Sequence, residues 1–286
     1  MKKALQNENR TYGIEIEMIC SHGREYVAQA LRDAGVDCQN EGYNHRRRST
    51  WKIMLDASVG YADNCMELVS PPLKGQAGLE MIEKVCKVLN TVGAKVNKKC
   101  GLHVHHDAND FTTEKLSKAV HVYSKIEAQL DKMMPASRRE NANYFLRSTV
   151  NRANQVASSQ LNGRTRSDAR YAKINVNAYF QHGTIEFRHH SGTVDADKII
   201  AWTIITQRIV ERCATNRKAP SKEITNWRSV MSLCGIGRIA FTEMNPGEAE
   251  LVKWSQERIK EIRANDTRRR EREQRRARRL RRARVA

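Results

Sequence analysis

Short segments of alternating apolar and polar residues constrain this chain more than any other feature of its sequence. In "TYGIEIEMI", Ile14, Ile16 and Met18 fall on one side of an extended backbone, and Glu15 and Glu17 fall on the other. Successive side chains of a β-strand point to opposite faces of its sheet. The segment therefore predicts a strand with an apolar core face and a face of carboxylates.

A histidine-rich segment, "CGLHVHHD", follows the same rule. As a strand it places His103, His105 and Asp107 on one face, and His106 with the apolar residues on the other. We interpret His106 as a packed histidine, because a partly buried position is the ordinary environment of this residue type. The same interpretation applies to His189 in "EFRHHSG", which also falls on an apolar side.

Two pairs of such segments predict antiparallel hairpins. "AKINVNAYF" and "TIEFRHHSG", joined by "QHG", predict a hairpin over residues 173–190, with its first strand reaching Phe180. In the second strand Glu186, Arg188 and His190 share a polar face. "WKIMLDASV" and "NCMELVSPPL" predict the other hairpin. Its polar candidates are Asp56, Ser58 and Glu67.

Amphipathic helices account for much of the remaining sequence. Apolar residues three and four positions apart predict helices at residues 24–35, 78–92, 112–134 and 195–213. Gly35 is predicted as the residue that ends the first of them, because glycine is favoured just after a helix.

The polar faces carry residue types that bind cations and anions. A solvated sheet face usually carries Lys, Thr, Ser and Gln, whereas these segments offer Glu, His, Asn and Arg. Carboxylates two residues apart on a strand lie about 7 Å apart, and this spacing suits two neighbouring Mg²⁺ ions better than one shared ion. The His-x-His spacing of His103 and His105 is also typical of zinc ligands. The residues alone leave magnesium, zinc and an ordinary solvated face open.

The net charge of +19 is unevenly distributed along the chain. Residues 263–286 contain twelve arginines and three acidic residues, which gives this segment a net charge of +9. From Glu248 onward the sequence lacks Gly and Pro and predicts one long helix, whose apolar stripe ends after Ile262. We therefore predict a globular domain of residues 1–246 and an Arg-rich helical tail of residues 247–286 that ends as a solvated or disordered arm.

Cysteine usage and hydropathy bear on the cellular environment. The seven cysteines are odd in number and form no C-x-x-C pair, which predicts reduced, packed thiols rather than a disulfide framework or a structural zinc site. The sequence shows no apolar run near 20 residues and no secretory signal. We expect a cytoplasmic protein that does not enter the membrane.

Several of these segments together resemble a known family. The motifs "TYGIEIEM", "DASV", "CMELVSPPL", "CGLHVHHD", "RYAKINVNAYFQHGTIEFRHHSGT" and "DADKIIAW" occur in this order over residues 11 to about 212. They resemble the amidoligase family of the carboxylate–amine ligase superfamily, which includes glutamine synthetase and glutamate–cysteine ligase. The resemblance implies an α+β fold with a curved, mainly antiparallel sheet of the glutamine synthetase catalytic type. Helices would pack on the convex face, and the concave face would hold ATP and two or more Mg²⁺ ions.

The resemblance also assigns roles to individual residues of this chain. His105 matches an imidazole on the substrate side, and Arg188 matches the residue that grips an anionic substrate group or a phosphate. The matching metal ligands are Glu15, Glu17, Glu67, His103 and Glu186. The matching cofactor-binding positions are Ser58, Arg138, Arg139 and Asn175, and Asp56 is a further supporting polar position. We expect His103 to lie near Glu15 and Glu186, and His106 to lie apart from them.

The implied function is ATP- and Mg²⁺-dependent ligation of a small-molecule or peptide carboxylate to an amine. The carboxylate would attack the γ-phosphoryl group of ATP to form an acyl phosphate, and the amine would then displace phosphate. Asp107 is a candidate for the base that accepts the proton of the amine.

Two other functions stay open at this point. The Arg-rich residues 263–286 could bind nucleic acid or an acidic partner without sequence preference, as in a packaging protein whose sheet is a scaffold. His103 and His105 could hold zinc in a hydrolase. The sequence identifies neither the acid nor the amine, and it is compatible with an oligomer.

Overall fold

The computed structural model describes residues 1–44, 46–60, 62, 64–139, 146, 148–150, 153–161, 171–237 and 244–285. In these ranges the strands are β1 (Tyr12–Ile19), β2 (Cys38–Asn40), β3 (Trp51–Leu55), β4 (Cys65–Val69), β5 (Gly101–Asp107), β6 (Ile174–Asn175) and β7 (Thr184–Ser191). The helices are α1 (Gly23–Asp33), α2 (Gly75–Thr91), α3 (Thr113–Leu130), α4 (Ala153–Leu161), α5 (Ala178–His182), α6 (Ala196–Ala214), α7 (Trp227–Leu233) and α8 (Pro246–Val285).

The seven strands found in the described residues form one open sheet in the order β2–β3–β4–β1–β5–β7–β6. Neighbouring strands are antiparallel except for β2 and β3, which are parallel. The predicted hairpin of β3 and β4 is confirmed. β2 was not predicted, because its three residues are too few to show an alternating pattern. The fold is therefore of the mixed α+β class with a mostly antiparallel sheet.

The helices cover the apolar face of the sheet. Ile14, Ile16 and Val104 are fully buried there, in one core cluster with residues of α2, α3 and α6. Two predicted helix boundaries are confirmed: the side chain of Thr112 accepts a hydrogen bond from the Lys115 backbone at the start of α3, and Gly35 follows α1 with φ of +72°. The other face of the sheet is left for polar side chains.

The hairpin predicted over residues 173–190 is only partly correct. Its second strand is β7, but the first is the two-residue β6, and residues 178–182 form the helix α5 instead of continuing as a strand to Phe180. The side chain of Asn175 accepts the Asn177 backbone N–H at 3.0 Å, and this local bond turns the chain out of the sheet. Phe180 is consequently 47% exposed, whereas the alternation had placed it on the apolar face.

A β-bulge changes the side on which one predicted residue lies. Leu102 pairs with His190 and Val104 with Phe187, so two residues of β7, Arg188 and His189, lie opposite one residue of β5. The extra residue moves His190 to the apolar side, where its ring lies 5.5 Å from that of Trp202. The prediction that His190 shares the polar face of Arg188 is therefore wrong.

The C-terminal helix α8 leaves the body of the protein after its first turns. Leu251, Ile259 and Ile262 are buried against the body, as the predicted apolar stripe requires. Almost every side chain described beyond Ile262 is exposed, and the helix nevertheless continues to Val285. The boundary at residues 246 and 247 stays a prediction.

Two expectations concern cysteines and membranes. All seven cysteines are buried and free, as predicted. Among the described helices, none combines the length and the apolar character that crossing a membrane requires.

Candidate active site

The polar face of the sheet borders a cavity of about 700 Å³. Strands β1, β4, β5 and β7 contribute side chains to it, and loops at residues 43–50 and 98–99 add others. The cavity is lined by twelve of the thirteen site residues predicted from the sequence, namely Glu15, Glu17, Asp56, Ser58, Glu67, His103, His105, Asp107, Arg138, Asn175, Glu186 and Arg188.

Strand register brings these side chains together. Glu15 lies opposite His103 on β5, and Glu17 lies opposite Glu67 on β4. His105 lies opposite a residue of β7, Glu186. Directly opposed residues of antiparallel strands are close enough for their side chains to interact. Four strands thus place carboxylates and imidazoles side by side.

His103 occupies the centre of this group and is buried. Its Nδ1 lies 3.0 Å from Oε2 of Glu15 and 3.7 Å from Oε1 of Glu186, and its Nε2 lies 3.5 Å from Oε1 of Glu17. His106 instead makes a 2.8 Å hydrogen bond with Oγ1 of Thr206, in the helical layer. The predicted placement of both histidines is confirmed.

Gly101 is fitted closely beneath His103. Its backbone N–H donates to Oε2 of Glu17 at 2.6 Å. A Cβ at this position would lie 2.9 Å from Nε2 of His103 and would overlap the guanidinium of Arg138. The start of β5 therefore needs glycine, because a side chain would displace two residues of the site.

His105 contacts the same glutamate as His103 from the other side. Its Nε2 lies 3.3 Å from Oε1 of Glu15, and its Nδ1 is 3.0 Å from Oγ1 of Thr184. Burial lowers the pKa of His105, but the charge and hydrogen bond of Glu15 together with the charge of Glu186 outweigh burial and raise this pKa above its ordinary value. Burial likewise raises the pKa of Glu15, and the two imidazoles outweigh it, so this pKa lies well below its usual range.

Three clusters in the described residues could hold a metal ion, each with ligand atoms within 4.8 Å of one another. Two of them share no residue: one contains Glu15, His105 and Glu186, and the other contains Glu17, Asp56 and Glu67. The third combines Glu15, Glu67 and His103. Glu15 and Glu17 thus belong to separate clusters, as their spacing along the strand predicts.

The crowding of carboxylates is most evident at Glu67. Burial raises the pKa of Glu67 well above its ordinary value, and the neighbouring charges of Glu15, Glu17 and Asp56 raise it further. A bound cation would remove this repulsion, because it favours the ionised form of every carboxylate around it.

Arg188 adds a buried positive charge beside the clusters. Its Nη1 donates to Oε1 of Glu186 at 2.5 Å, while its Nε has no hydrogen-bond partner among the residues that the structure describes. Burial lowers the pKa of Arg188, but the surrounding carboxylates outweigh it, so the guanidinium stays charged. Asn175 donates to the other oxygen of Glu186 at 2.7 Å and so orients that carboxylate.

The two adjacent arginines predicted to bind the cofactor point in different directions. Arg138 is buried and lines the cavity, and it donates to the carbonyl oxygen of His190 from Nε at 3.1 Å and from Nη2 at 2.8 Å. Burial lowers the pKa of Arg138 to about 10. Arg139 lies outside the cavity lining. It donates to the carbonyl of Met134 and pairs with Asp266 of α8 at 2.7 Å, because a short helical turn ends at Arg138 and the extended residue after it reverses direction.

Ser58 and Asp107 lie at the edge of the site. The backbone N–H and hydroxyl of Ser58 donate to Asp56 at 2.8 Å and 3.0 Å, so this serine orients a carboxylate of the second cluster. Asp56 had been predicted only as a supporting polar position. Asp107 lines the cavity and accepts a hydrogen bond from Asn109 at 2.5 Å.

A basic loop also borders the cavity and was not predicted. The run "NHRRRST" contributes Arg46, Arg47 and Arg48 to the lining. Lys52 on β3 anchors the loop: it is buried, and its Nζ donates to the carbonyls of Asn44 and Arg46 at 3.0 Å and 2.9 Å. Three consecutive arginines between two strands were the signal available in the sequence.

The comparisons with known proteins agree with this arrangement. The model of a family described as "Putative amidoligase enzyme" matches residues 8–210. This range contains every residue of the three clusters and all seven strands found in the described residues. A search of curated proteins found no significant match.

Proposed function

The chain belongs to the amidoligase family, and from this premise we propose that it is an ATP- and Mg²⁺-dependent carboxylate–amine ligase. It would join a small-molecule or peptide carboxylate to an amine, with release of ADP and phosphate, through an acyl phosphate. We further propose that its sheet is of the glutamine synthetase catalytic type, with the cavity on the concave face.

One observation carries the proposal: the two clusters that share no residue lie in one cavity, beside a buried arginine. Each cluster contains at least two carboxylates, and one contains carboxylates alone. Carboxylate oxygens are the protein ligands that Mg²⁺ prefers, and its sites usually combine them with phosphate oxygens of the substrate. The donor set therefore fits two magnesium ions, which would bind a nucleotide through its phosphate oxygens.

The residues that would hold the ions follow from the clusters. Glu15, His105 and Glu186 would hold one, and Glu17, Asp56 and Glu67 the other. His105, which the family resemblance places on the substrate side, thus belongs to a cluster as well. When bound, Mg²⁺ supplies positive charge to the phosphoryl oxygens, and ATP supplies the phosphoryl group.

Other residues of the cavity would bind the substrate, exclude water and accept a proton. Arg188 would bind an anionic oxygen through its Nε, which has no hydrogen-bond partner in the described part of the chain, and its pairing with Glu186 fixes the guanidinium for that contact. The basic residues Arg46 and Arg47 would hold anionic groups further out. The buried floor of the cavity limits the access of water to an activated acyl group. Asp107 would accept the proton that the attacking amine releases, because it lines the same cavity beyond the clusters.

The geometry gives less support to a zinc hydrolase. Each cluster that contains a histidine combines a single imidazole with two carboxylates, and His103 and His105 belong to different clusters. Stoichiometric zinc in the purified protein, together with no affinity for ATP, would support the hydrolase and contradict the ligase.

Calorimetric titration with Mg²⁺ and a non-hydrolysable ATP analogue tests the site directly. We expect Mg²⁺-dependent binding to the wild-type protein and at least about tenfold weaker binding to Glu17→Gln, a loss of about 1.4 kcal/mol. Glu114→Gln is the matched control, because Glu114 is exposed at the start of α3, outside the cavity lining. Equal nucleotide affinity in all three proteins would contradict the proposed site.

A further inference from the structure

The C-terminal part of α8 is a charged helix whose described side chains are almost all exposed, and the proposed ligase chemistry does not use it. Residues 263–285 continue the helix past its last buried residue, Ile262. At about 1.5 Å per residue, this segment extends about 33 Å. Its base is fixed to the body, because Ile259 and Ile262 are buried and Asp266 pairs with Arg139. The segment therefore projects from the body as a helix whose first turn is held in place.

Arginines form a continuous ridge along this segment. Arg268, Arg272 and Arg275 are exposed and follow one another at spacings of four and three residues, which places them on one helix face. The sequence continues the same spacing at residues 279 and 282. The helix positions from 268 to 282 span about 21 Å along the helix axis.

Further arginines occupy the other faces. Each residue of a helix turns 100° about the axis, which places Arg263 and Arg270 roughly opposite the ridge. Both are also exposed. The segment has few residues that an apolar protein interface could bury: Leu280, at 57% exposed, is its largest exposed hydrophobic side chain among those described. A surface with this composition fits a partner that carries dense negative charge on more than one side.

A nucleic-acid duplex matches these properties. It carries about one phosphate charge per 1.7 Å of axis, and the major groove of B-form DNA, about 12 Å wide, admits a helix of about 10–12 Å diameter. A helix in such a groove has phosphates on both flanks. We propose that residues 263–285 bind the phosphate backbone of a nucleic-acid duplex without reading its sequence.

Binding of fluorescent 24-base-pair DNA and RNA duplexes to the full-length protein, followed by anisotropy at several salt concentrations, tests this proposal. Comparison of the two duplexes shows whether the segment binds DNA, RNA or both. We expect affinity that falls steeply with salt and does not depend on base sequence. The double variant R268A/R272A should reduce the salt slope by about 2, because each lost phosphate contact removes about 0.9. Alanine keeps the helix, so the variant retains the fold.

The matched control is K84A/K87A, which removes two exposed lysines from α2 and should leave the slope unchanged. Deletion of residues 268–286, which retains the Asp266 contact, should abolish binding. Equal slopes for the two double variants would overturn the proposal. Displacement of the duplex by polyglutamate at the same charge concentration would also overturn it, because the segment would then be a site for acidic polypeptides. Nucleotide binding at the cavity is measured separately and does not depend on either result.

Discussion

Replacement of Lys173 by methionine is expected to destabilise the protein by about 3–5 kcal/mol, the usual cost of removing one partner from a buried ion pair. Lys173 is fully buried on the helical side of the sheet. Its Nζ lies 3.0 Å from Oε1 of Glu127 and 2.7 Å from Oδ1 of Asp131. Methionine fills a similar volume but leaves two carboxylates without their shared cation.

The loss should depend on pH, because His189 contacts the same Asp131 oxygen at 2.6 Å. Burial lowers the pKa of His189 from 6.5 to about 4, and the ammonium of Lys173 acts in the same direction. A folded-state pKa below the unfolded value means that wild-type stability falls as pH decreases from 6.5 towards 4, by up to about 3 kcal/mol.

Removal of Lys173 takes away one cause of that low pKa. In the variant, His189 would accept a proton more readily and would compensate Asp131 in place of the ammonium. The stability of Lys173→Met should therefore fall less on acidification, and its deficit relative to wild type should be larger at pH 8 than at pH 5.

Urea unfolding at pH 8 and pH 5, followed by tryptophan fluorescence, measures both effects. Trp202 reports on the region, since its ring lies 6.0 Å from that of His189. Lys87→Met is the matched control, because Lys87 is exposed on α2; its change should stay within about 0.5 kcal/mol. A deficit below about 1 kcal/mol for Lys173→Met, or one that is equal at both pH values, would refute this reasoning about the buried network.

Three further predictions concern the cavity. Arg188→Lys should lower turnover by about 100-fold with little change in the unfolding temperature, because lysine has no second, rigidly placed donor to bind an anionic oxygen while it pairs with Glu186; steady-state kinetics and thermal unfolding separate the two. Glu67→Gln should stabilise the metal-free protein by about 1 kcal/mol by relieving repulsion, and should reduce the stabilisation that added Mg²⁺ gives; an unchanged Mg²⁺ response would argue against Glu67 as a ligand. Gly101→Ala should weaken Mg²⁺ binding, because its Cβ would crowd His103 and lie 3.4 Å from Oε2 of Glu17, a proposed ligand, and titration calorimetry would detect the change.

Alternation of residue types predicted the parts of the site that depend on strand geometry alone. A period of two assigns each side chain of β1 and β5 to a face, so the placement of Glu15, Glu17 and His103 could be predicted, as could the burial of His106. Contact between His103 and Glu186 was expected from the family resemblance instead, and it is confirmed, because β7 carries Glu186 and pairs with β5.

Features set by a partner strand or by a local side-chain bond could not be predicted in this way. The bulge that turns His190 to the apolar side exists only in the pairing of β7 with β5. The end of β6 depends on the hydrogen bond between Asn175 and the backbone of Asn177, which competes with a strand that the pattern favours.

Loops around the cavity were the least predictable part of the site. Arg139 was predicted beside Arg138, yet it contacts α8, because the direction of consecutive loop residues follows backbone dihedral angles and not a fixed period. The loop with Arg46 reaches the cavity because Lys52 holds its carbonyls. The sequence does not show that Lys52 is buried or that its ammonium binds backbone carbonyls of this loop.

In the proposed reaction, this cavity uses ATP to join a carboxylate to an amine. The most direct measurement is the release of ADP from Mg-ATP in the presence of pools of amino acids, short peptides and amines, each supplied alone and together. We expect ADP release that requires both an acid and an amine, that is lost in Glu17→Gln, and that is retained in Glu114→Gln and in the protein lacking residues 268–286. ADP release that does not depend on the acid and the amine, or absence of ATP binding, would contradict the proposed reaction.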